Sequence, residues 1–168
     1  MKWVTMSRQL LEIESILAQL VAEHRKLLGQ LDAQQAAMRA LKLDAIEQAT
    51  HQQESTRLRI ATLETKRRTL ALQIARAMRI NEEPTITKLA QLFPARSGAL
   101  IELRDELKAV IADISSRTNR ASRLASAVLG HLNVGVRLIA TAVEQAGVYT
   151  KDGSPQMTKR IGVMEAVG

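Results

Sequence analysis

The fifty residues SGALIELRDELKAVIADISSRTNRASRLASAVLGHLNVGVRLIATAVEQA, Ser97 to Ala146, contain no proline and end just before Gly147. In the first half, apolar residues recur at intervals of three and four, at Leu100, Leu103, Leu107, Val110 and Ile114. This spacing puts them on one side of an α-helix. The stretch therefore predicts one long helix, roughly 75 Å at 1.5 Å per residue, that packs against other helices.

The second half of this stretch has a different character. It contains no acidic residue from Ile114 to Val143, whereas four arginines occur there, at positions 117, 120, 123 and 137. Apolar positions resume at Leu124, Val128, Leu132, Val136, Ile139 and Val143, separated by alanine, glycine and serine. The same helix is thus expected to carry a second apolar face beyond its packed half.

Two more long helices are predicted upstream. The first begins at Thr5 or Ser7, either of which can act as an N-cap, and runs to about Leu41. The second runs from Asp44 to Met78, with Asp44 and Glu47 spaced as a capping box. Its segment ATHQQESTR, residues 49–57, is polar and is expected to be the weakest part of the core. The fold class is therefore all-α, an antiparallel three-helix bundle or coiled coil.

A short extra helix is predicted between the second and the last long helix. In the segment NEEPTITKLAQLFP, Thr85 or Thr87 can cap it and Pro94 ends it. The residues after Gly147 contain turn signals and no helical period, so a non-helical tail is expected over 148–168. The domain prediction is one helical domain, 1–147, followed by this tail.

The predicted helices differ in length, and this difference has a consequence. The first two have about 35 residues and the last about fifteen more, which is roughly 22 Å of extra helix. If all three pack side by side, one end of the last helix overhangs, and the stronger seam in its first half places the overhang at 129–146. Its apolar face must then pair with itself, with the tail or with a partner helix.

Composition excludes several classes of protein. Hydrophobic residues make up 46% and charged residues 24%, so the chain is not expected to be disordered. It has no cysteine and hence no disulfide framework. Charged residues interrupt the N-terminal segment, so it is not expected to be a signal peptide. No window is expected to be long and uninterrupted enough to span a bilayer. A cytoplasmic protein without stable membrane insertion is predicted.

The net charge of +7 is compatible with binding to nucleic acid, but its distribution is not typical of it. The basic residues are spread along the chain, and aromatic residues, which could stack on bases, are only 2%. Nucleic-acid binding is therefore not expected. The one basic stripe, Arg117, Arg120 and Arg123, is interpreted as a solvated helix face, as a patch for an acidic partner or as a membrane-surface site.

No pattern indicates catalysis. The three histidines, at positions 24, 51 and 131, lack neighbours that would make a convincing metal site, and His24 is interpreted as a core or edge residue. Phosphate-binding loops, nucleophile elbows and zinc-protease motifs do not occur. The chain is predicted to have no enzyme activity, no metal and no cofactor.

The order of these features resembles the FlgN family of flagellar type III export chaperones. The resemblance covers nearly the whole chain: the opening LLEIESILAQLVAEHRKLL, the turn before Asp44, the TITKLAQLFP segment, the long last helix, and a tail that begins Val148-Tyr149 and continues to Asp152-Gly153. The LAQLFP element and the tail are its most specific parts, since two long helices alone occur in many coiled coils.

The resemblance implies a cytoplasmic chaperone that binds the C-terminal amphipathic segments of the hook–filament junction proteins FlgK and FlgL. It would prevent their premature assembly and deliver them to the export gate. The family uses its C-terminal part for cargo, which corresponds to Leu124–Val143. A tail tyrosine docks at the gate in the family, and Tyr149 is the corresponding residue. The chain departs from the family in being strongly basic.

A different class of function is compatible with the same pattern. A structural coiled-coil or scaffolding protein would use the exposed face of the last helix to form a permanent homodimer. A monomer or a weak homodimer would instead favour the chaperone. Sedimentation at micromolar concentration distinguishes these two hypotheses.

Overall fold

The computed structural model describes the backbone of residues 2–146 and the side chains of residues 6–143. Four α-helices follow one another: α1 (Lys2–Arg39), α2 (Leu43–Met78), α3 (Ile86–Leu92) and α4 (Ser97–Ala146). One turn of 3-10 helix, Pro94–Arg96, precedes α4. No strand occurs between residues 2 and 146. The prediction of an all-α chain with three long helices and a short one is confirmed. The predicted tail, 148–168, lies outside the described residues.

The chain divides into two compact units, Met1–Ala125 and Ser126–Gly168. The first contains α1 to α3 and the beginning of α4, and it has its own hydrophobic core. The second is described from Ser126 to Ala146, where it consists of the remaining turns of α4.

The core of the first unit is built on α1. Leu10, Ile13, Ile16, Leu17 and Leu20 of α1 are at most 4% exposed, and they cluster with Ile74, Leu89, Ala90 and Leu100. Each of the four helices therefore contributes to one core. Leu100, the first apolar residue of the predicted seam in α4, is fully buried, and Val110 is also buried. The seam in the first half of α4 is thus a packing face, as its spacing predicted.

Polar contacts show the directions of the long helices. Between α1 and α2, Gln9 bonds Gln73 at 2.8 Å, whereas Gln34 bonds Thr50 at 3.1 Å. As the residue number rises along α1, the number of its bonded partner in α2 falls, so these two helices run antiparallel. Between α1 and α4, Arg25 pairs with Glu106 and Asp32 pairs with Arg117. These numbers rise together, so α1 and the beginning of α4 run parallel.

The two long helices of the first half end without glycine. The backbone of Leu41 and Arg79 is left-handed, with φ of 53° and 59°. In each case the next amide reaches back over a turn, from Lys42 to the carbonyl of Ala37 and from Ile80 to that of Ala75. These bonds satisfy carbonyls that the helix end would otherwise leave free. They hold two residues in a conformation that costs roughly 1–2 kcal/mol outside glycine.

Two local predictions for α1 and α2 are wrong. The first helix begins at Lys2, upstream of Thr5 and Ser7. The capping box at Asp44 and Glu47 does not form, because α2 already begins at Leu43. Its N-cap is Lys42, without a side-chain hydrogen bond, and Asp44 lies in the first turn. There its carboxylate still interacts favourably with the positive end of the helix dipole.

The polar segment 49–57 of α2 is better packed than predicted. Ala49, Gln53 and Thr56 are buried, and the Gln53 amide donates to the Gln30 carbonyl of α1 at 3.4 Å. Small and hydrogen-bonded side chains therefore take the place of leucines there. Downstream, the prediction that Thr85 caps α3 is confirmed, since its hydroxyl accepts from the Lys88 amide at 3.1 Å.

Candidate binding surface on the last helix

The end of α4 exposes its large apolar side chains. Within the second unit these are Leu129, Leu132, Val134, Val136, Leu138, Ile139 and Val143, each between 53% and 67% exposed. A soluble protein rarely leaves so many neighbouring apolar side chains in water without a use for them. An isolated helix of this length is also marginal in water, so it depends on packing for its stability. The segment 126–143 is therefore the candidate binding surface.

The six predicted cargo-binding residues do not share one environment. Leu132, Val136, Ile139 and Val143 are exposed, as the overhang argument required. Leu124 and Val128 are half-buried. Leu124 belongs to the first unit and Val128 to the second. Whether any of the six contacts a cargo stays a prediction, but four of them are available to one.

Sequence reasoning missed three exposed residues. Leu129, Val134 and Leu138 fall outside the run of three-and-four spacing and were not included in the predicted face. Leu129 adjoins that face. At about 100° per residue, Val134 and Leu138 lie roughly 140° and 180° round the helix from Leu129. The signal was in the sequence, because large apolar residues at positions 134 and 138 have no place on a solvated face.

The predicted basic patch is only partly available. Arg117 forms an ion pair with Asp32 of α1, and the Gln35 amide donates to its backbone carbonyl at 3.1 Å. Arg117 therefore serves the packing of α4 on α1. Arg120 and Arg123 are exposed, and within residues 6–143 neither of them forms an ion pair. The single side-chain hydrogen bond of Arg120 in that range is to Ser116 of its own helix.

A separate cavity lies in the first unit. It has a volume of about 490 Å³, and its walls come from all three long helices and the α2–α3 connection. Leu17, Leu20 and Ile60 make it apolar, and Arg67, Glu64 and Glu83 line its polar side. Together with Arg68, which pairs with Glu83, these charges balance within the first unit. The cavity therefore offers no free charge for a ligand, and no sequence signal had indicated it.

The polar side of this cavity is an ion-pair network. Arg67 of α2 donates to Glu64 at 2.6 Å and to Glu83 at 3.2 Å, and its side chain is only 14% exposed. The hydrogen bond with Glu64 raises the pKa of the Arg67 guanidinium, against the opposing effect of burial. Arg68 also reaches Glu83, at 3.0 Å. The network ties the connection before the buried Pro84 to α2.

One of the three histidines is partly buried, and the other two are exposed. His24 is partly buried, with Nδ1 hydrogen-bonded to the Leu20 carbonyl at 2.7 Å. His51 lies 3.7 Å from Glu47, and both side chains are largely exposed. His131 is exposed on the candidate surface. Among the described residues no cluster of three potential metal ligands occurs.

The model of the family described as FlgN protein matches residues 6–156, which is most of the chain. The chain belongs to the FlgN family. Comparison with curated proteins and with solved structures gave no match. Family membership makes this chain a flagellar-associated chaperone and places it among proteins that act by binding rather than by catalysis. Tyr149, the residue proposed for gate docking, lies outside the described residues.

The exposed end of α4 in this FlgN-family chain corrects one expectation from composition. The helical stretch Pro94–Val143 contains a window of 18 residues that is long and apolar enough to cross a membrane, and none of that window is buried. The expectation that no such window exists is therefore wrong. Length and composition are weak evidence for a span, because a helix that binds another protein has the same properties.

Proposed function

We propose that the chain is a cytoplasmic export chaperone that binds the C-terminal amphipathic segments of the hook–filament junction proteins FlgK and FlgL. It prevents their premature assembly and delivers them to the type III export gate, where Tyr149 docks. The three long helices form an antiparallel three-helix bundle that carries the binding segment. Family membership supports this role.

One observation carries the proposal: the apolar side chains of α4 between Leu129 and Val143 are more than half exposed. The residues Leu132, Val136, Ile139 and Val143 recur at the spacing by which one amphipathic helix recognises another. A cargo segment that folds as a helix on this face buries its own leucine-type side chains against them. Each large apolar side chain that leaves water contributes roughly 1.5–3 kcal/mol.

The mechanism requires no catalysis, and its affinity is limited by the cargo itself. A segment that is disordered before binding loses conformational entropy when it folds on α4, at a cost of about 2–5 kcal/mol or more. The net affinity is therefore moderate. A moderate affinity lets the chaperone hold the segment during transport and release it at the gate.

The test is a change of two central residues of the face, Leu132→Asp together with Ile139→Asp. Because both side chains are exposed, circular dichroism should show an unchanged helix content. Capture of co-expressed FlgK or FlgL from the same genome should be lost, since each aspartate places a charge in the apolar contact. The matched control is Gln48→Asp together with Gln52→Asp, which adds the same charges at exposed polar positions of α2.

Two results would contradict the proposal. One is wild-type capture of both proteins by the double variant. The other is a permanent homodimer of the wild-type chain at micromolar concentration that the double variant converts to a monomer. That result would assign the same face to a scaffolding protein.

A further inference from the structure

The exposed segment of α4 has apolar side chains on two sides. The first face is formed by Leu132, Val136, Ile139 and Val143, with Leu129 at its edge. The second contains Val134 and Leu138, which are 57% and 67% exposed, with Ala127 two turns before Val134. At about 100° per residue, the second face lies on the far side of the helix from the centre of the first. A single partner helix covers only one of them.

The two faces also differ in their surroundings. Ser126, Gly130, Asn133 and Arg137 form the polar strip that separates them on one side, and Arg137 lies next to the second face. His131 lies at the other edge of that face. Both side chains are exposed, and within residues 6–143 Arg137 forms no ion pair. By contrast, the first face contains only apolar side chains.

Charge therefore indicates which partner fits the second face. No aspartate or glutamate occurs between Ile114 and Val143, so a basic partner finds no counter-charge in this segment, and a neutral one gains nothing from Arg137. A second copy of this chain would bring its own basic segment, in a protein of net charge +7. An acidic partner gains an opposite charge at Arg137 and is attracted over a distance of about a Debye length, ~8–10 Å.

We propose that the second face, Val134 and Leu138 with Arg137 beside it, binds an acidic amphipathic helix of the exported protein while the first face binds another segment of the same protein. The end of α4 is then the central helix between two helices of its cargo. This inference rests on the proposed function, because it names the chemistry of a second cargo segment.

Two helices on opposite sides also account for the composition of the segment. A helix that packs on one side keeps polar residues on the other, whereas a helix that packs on both is apolar nearly all round. The segment 126–143 follows the second pattern. Gly130, Gly135, Ala140 and Ala142 then lie between the two contact faces, where a close approach of neighbouring helices favours small side chains.

The experiment compares three variants of the full chain, with purified FlgK or FlgL as the probe. Val134→Asp together with Leu138→Asp changes the second face and should weaken binding at least about tenfold, the effect of losing roughly 1.4 kcal/mol of contact. Arg137→Glu should weaken binding a few-fold, and the affinity of this variant should depend less on salt than that of the wild type. Gln48→Asp together with Gln52→Asp, at exposed positions of α2, is the control.

The outcomes separate this inference from the proposed function. If the first-face variant loses binding and the second-face variant binds like the wild type, the second face has no cargo role, although the chaperone function stands. If neither variant affects capture, the proposed function fails as well. If the second-face variant converts a cargo-free dimer to a monomer, its occupant is a second copy, and the inference is wrong. Wild-type salt dependence in Arg137→Glu would overturn the assignment of an acidic partner.

Discussion

Arg117 of α4 donates a hydrogen bond to the carboxylate of Asp32 in α1, and this ion pair removes the first arginine of the basic stripe from the free surface. Three residues further along α4, Arg120 is exposed and forms no ion pair within residues 6–143. The stripe therefore contains one residue that serves packing and two that are free to meet a partner.

Changing Arg117 to alanine should affect stability and leave cargo binding intact. The two side chains are 34% and 45% exposed, so the pair is partly screened by water and contributes no more than about 1 kcal/mol. The bond from the Gln35 amide to the backbone of residue 117 survives the change. Urea unfolding should show this small loss, and it should shrink at high salt.

The comparison is Arg120→Glu together with Arg123→Glu, which should leave the unfolding midpoint nearly unchanged. If the role of Arg117 is to pair with Asp32, only the double variant at Arg120 and Arg123 can alter the affinity for an acidic partner. A loss of cargo capture in Arg117→Ala, at unchanged stability, would show that the assignment is wrong.

Replacing Arg67 should reduce the free energy of unfolding more than replacing Arg117, because the Arg67 side chain is mostly buried and bonds two carboxylates. Arg67→Met keeps the aliphatic volume but leaves Glu64 and Glu83 without their shared partner. The loss should be about 1.5–3 kcal/mol, the range for hydrogen bonds to charged groups. Thermal unfolding and hydrogen exchange of residues 79–85 should both report it, since this connection is what the network holds.

The pH dependence of this contribution follows from the direction of the shift. The pKa of Arg67 is raised above its ordinary value, chiefly by the hydrogen bond with Glu64. A group whose pKa is raised in the folded state stabilises that state fully at pH values below its unfolded-state pKa. This stabilisation is lost only as the pH rises through the folded-state pKa. Because arginine stays protonated throughout the range from about pH 6 to 10, the difference in unfolding free energy between wild type and Arg67→Met should be constant there. A difference that fell within that range would contradict this assignment.

The sequence was sufficient to predict α4 because its limits are set by local chemistry. Pro94 stops the preceding helix, Ser97 opens the next one, and Gly147 follows its last residue, so the bounds do not depend on tertiary contacts. The start of α2 was harder. Leu41 adopts a left-handed conformation that glycine normally signals, and this tight turn begins the helix at Leu43, before Asp44 can cap it.

The binding surface was predictable in part, because helix lengths and apolar spacing can be read from the sequence. Length mismatch and apolar spacing identified the exposed residues from Leu132 to Val143, but the argument assumed a single face and so passed over Val134 and Leu138. Burial of polar residues was not predictable either. Gln53 and Thr56 are buried, and the Gln53 amide finds an acceptor on α1, but a single sequence does not show which helix lies opposite.

Two leucines of α4 provide the sharpest separation of folding from binding. Leu100 is fully buried in the core of the first unit, whereas Leu129 is 66% exposed in the second. Leu100→Ala should cost about 2–5 kcal/mol of unfolding free energy, because it removes buried methyl groups and leaves a cavity. Leu129→Ala should leave stability within about 0.5 kcal/mol, since alanine is the best helix former and little burial is lost.

Binding should show the reverse order. Leu129 adjoins the proposed cargo face, so Leu129→Ala should weaken the affinity for FlgK or FlgL, measured by calorimetry, at temperatures where both variants are folded. Leu100→Ala should bind with wild-type affinity under those conditions, because its side chain reaches no surface. If Leu129→Ala instead destabilises the free chain by 2 kcal/mol or more, an amount on the scale of a buried leucine, then α4 is covered at this point within its own chain. The reason for proposing a partner there would then be lost.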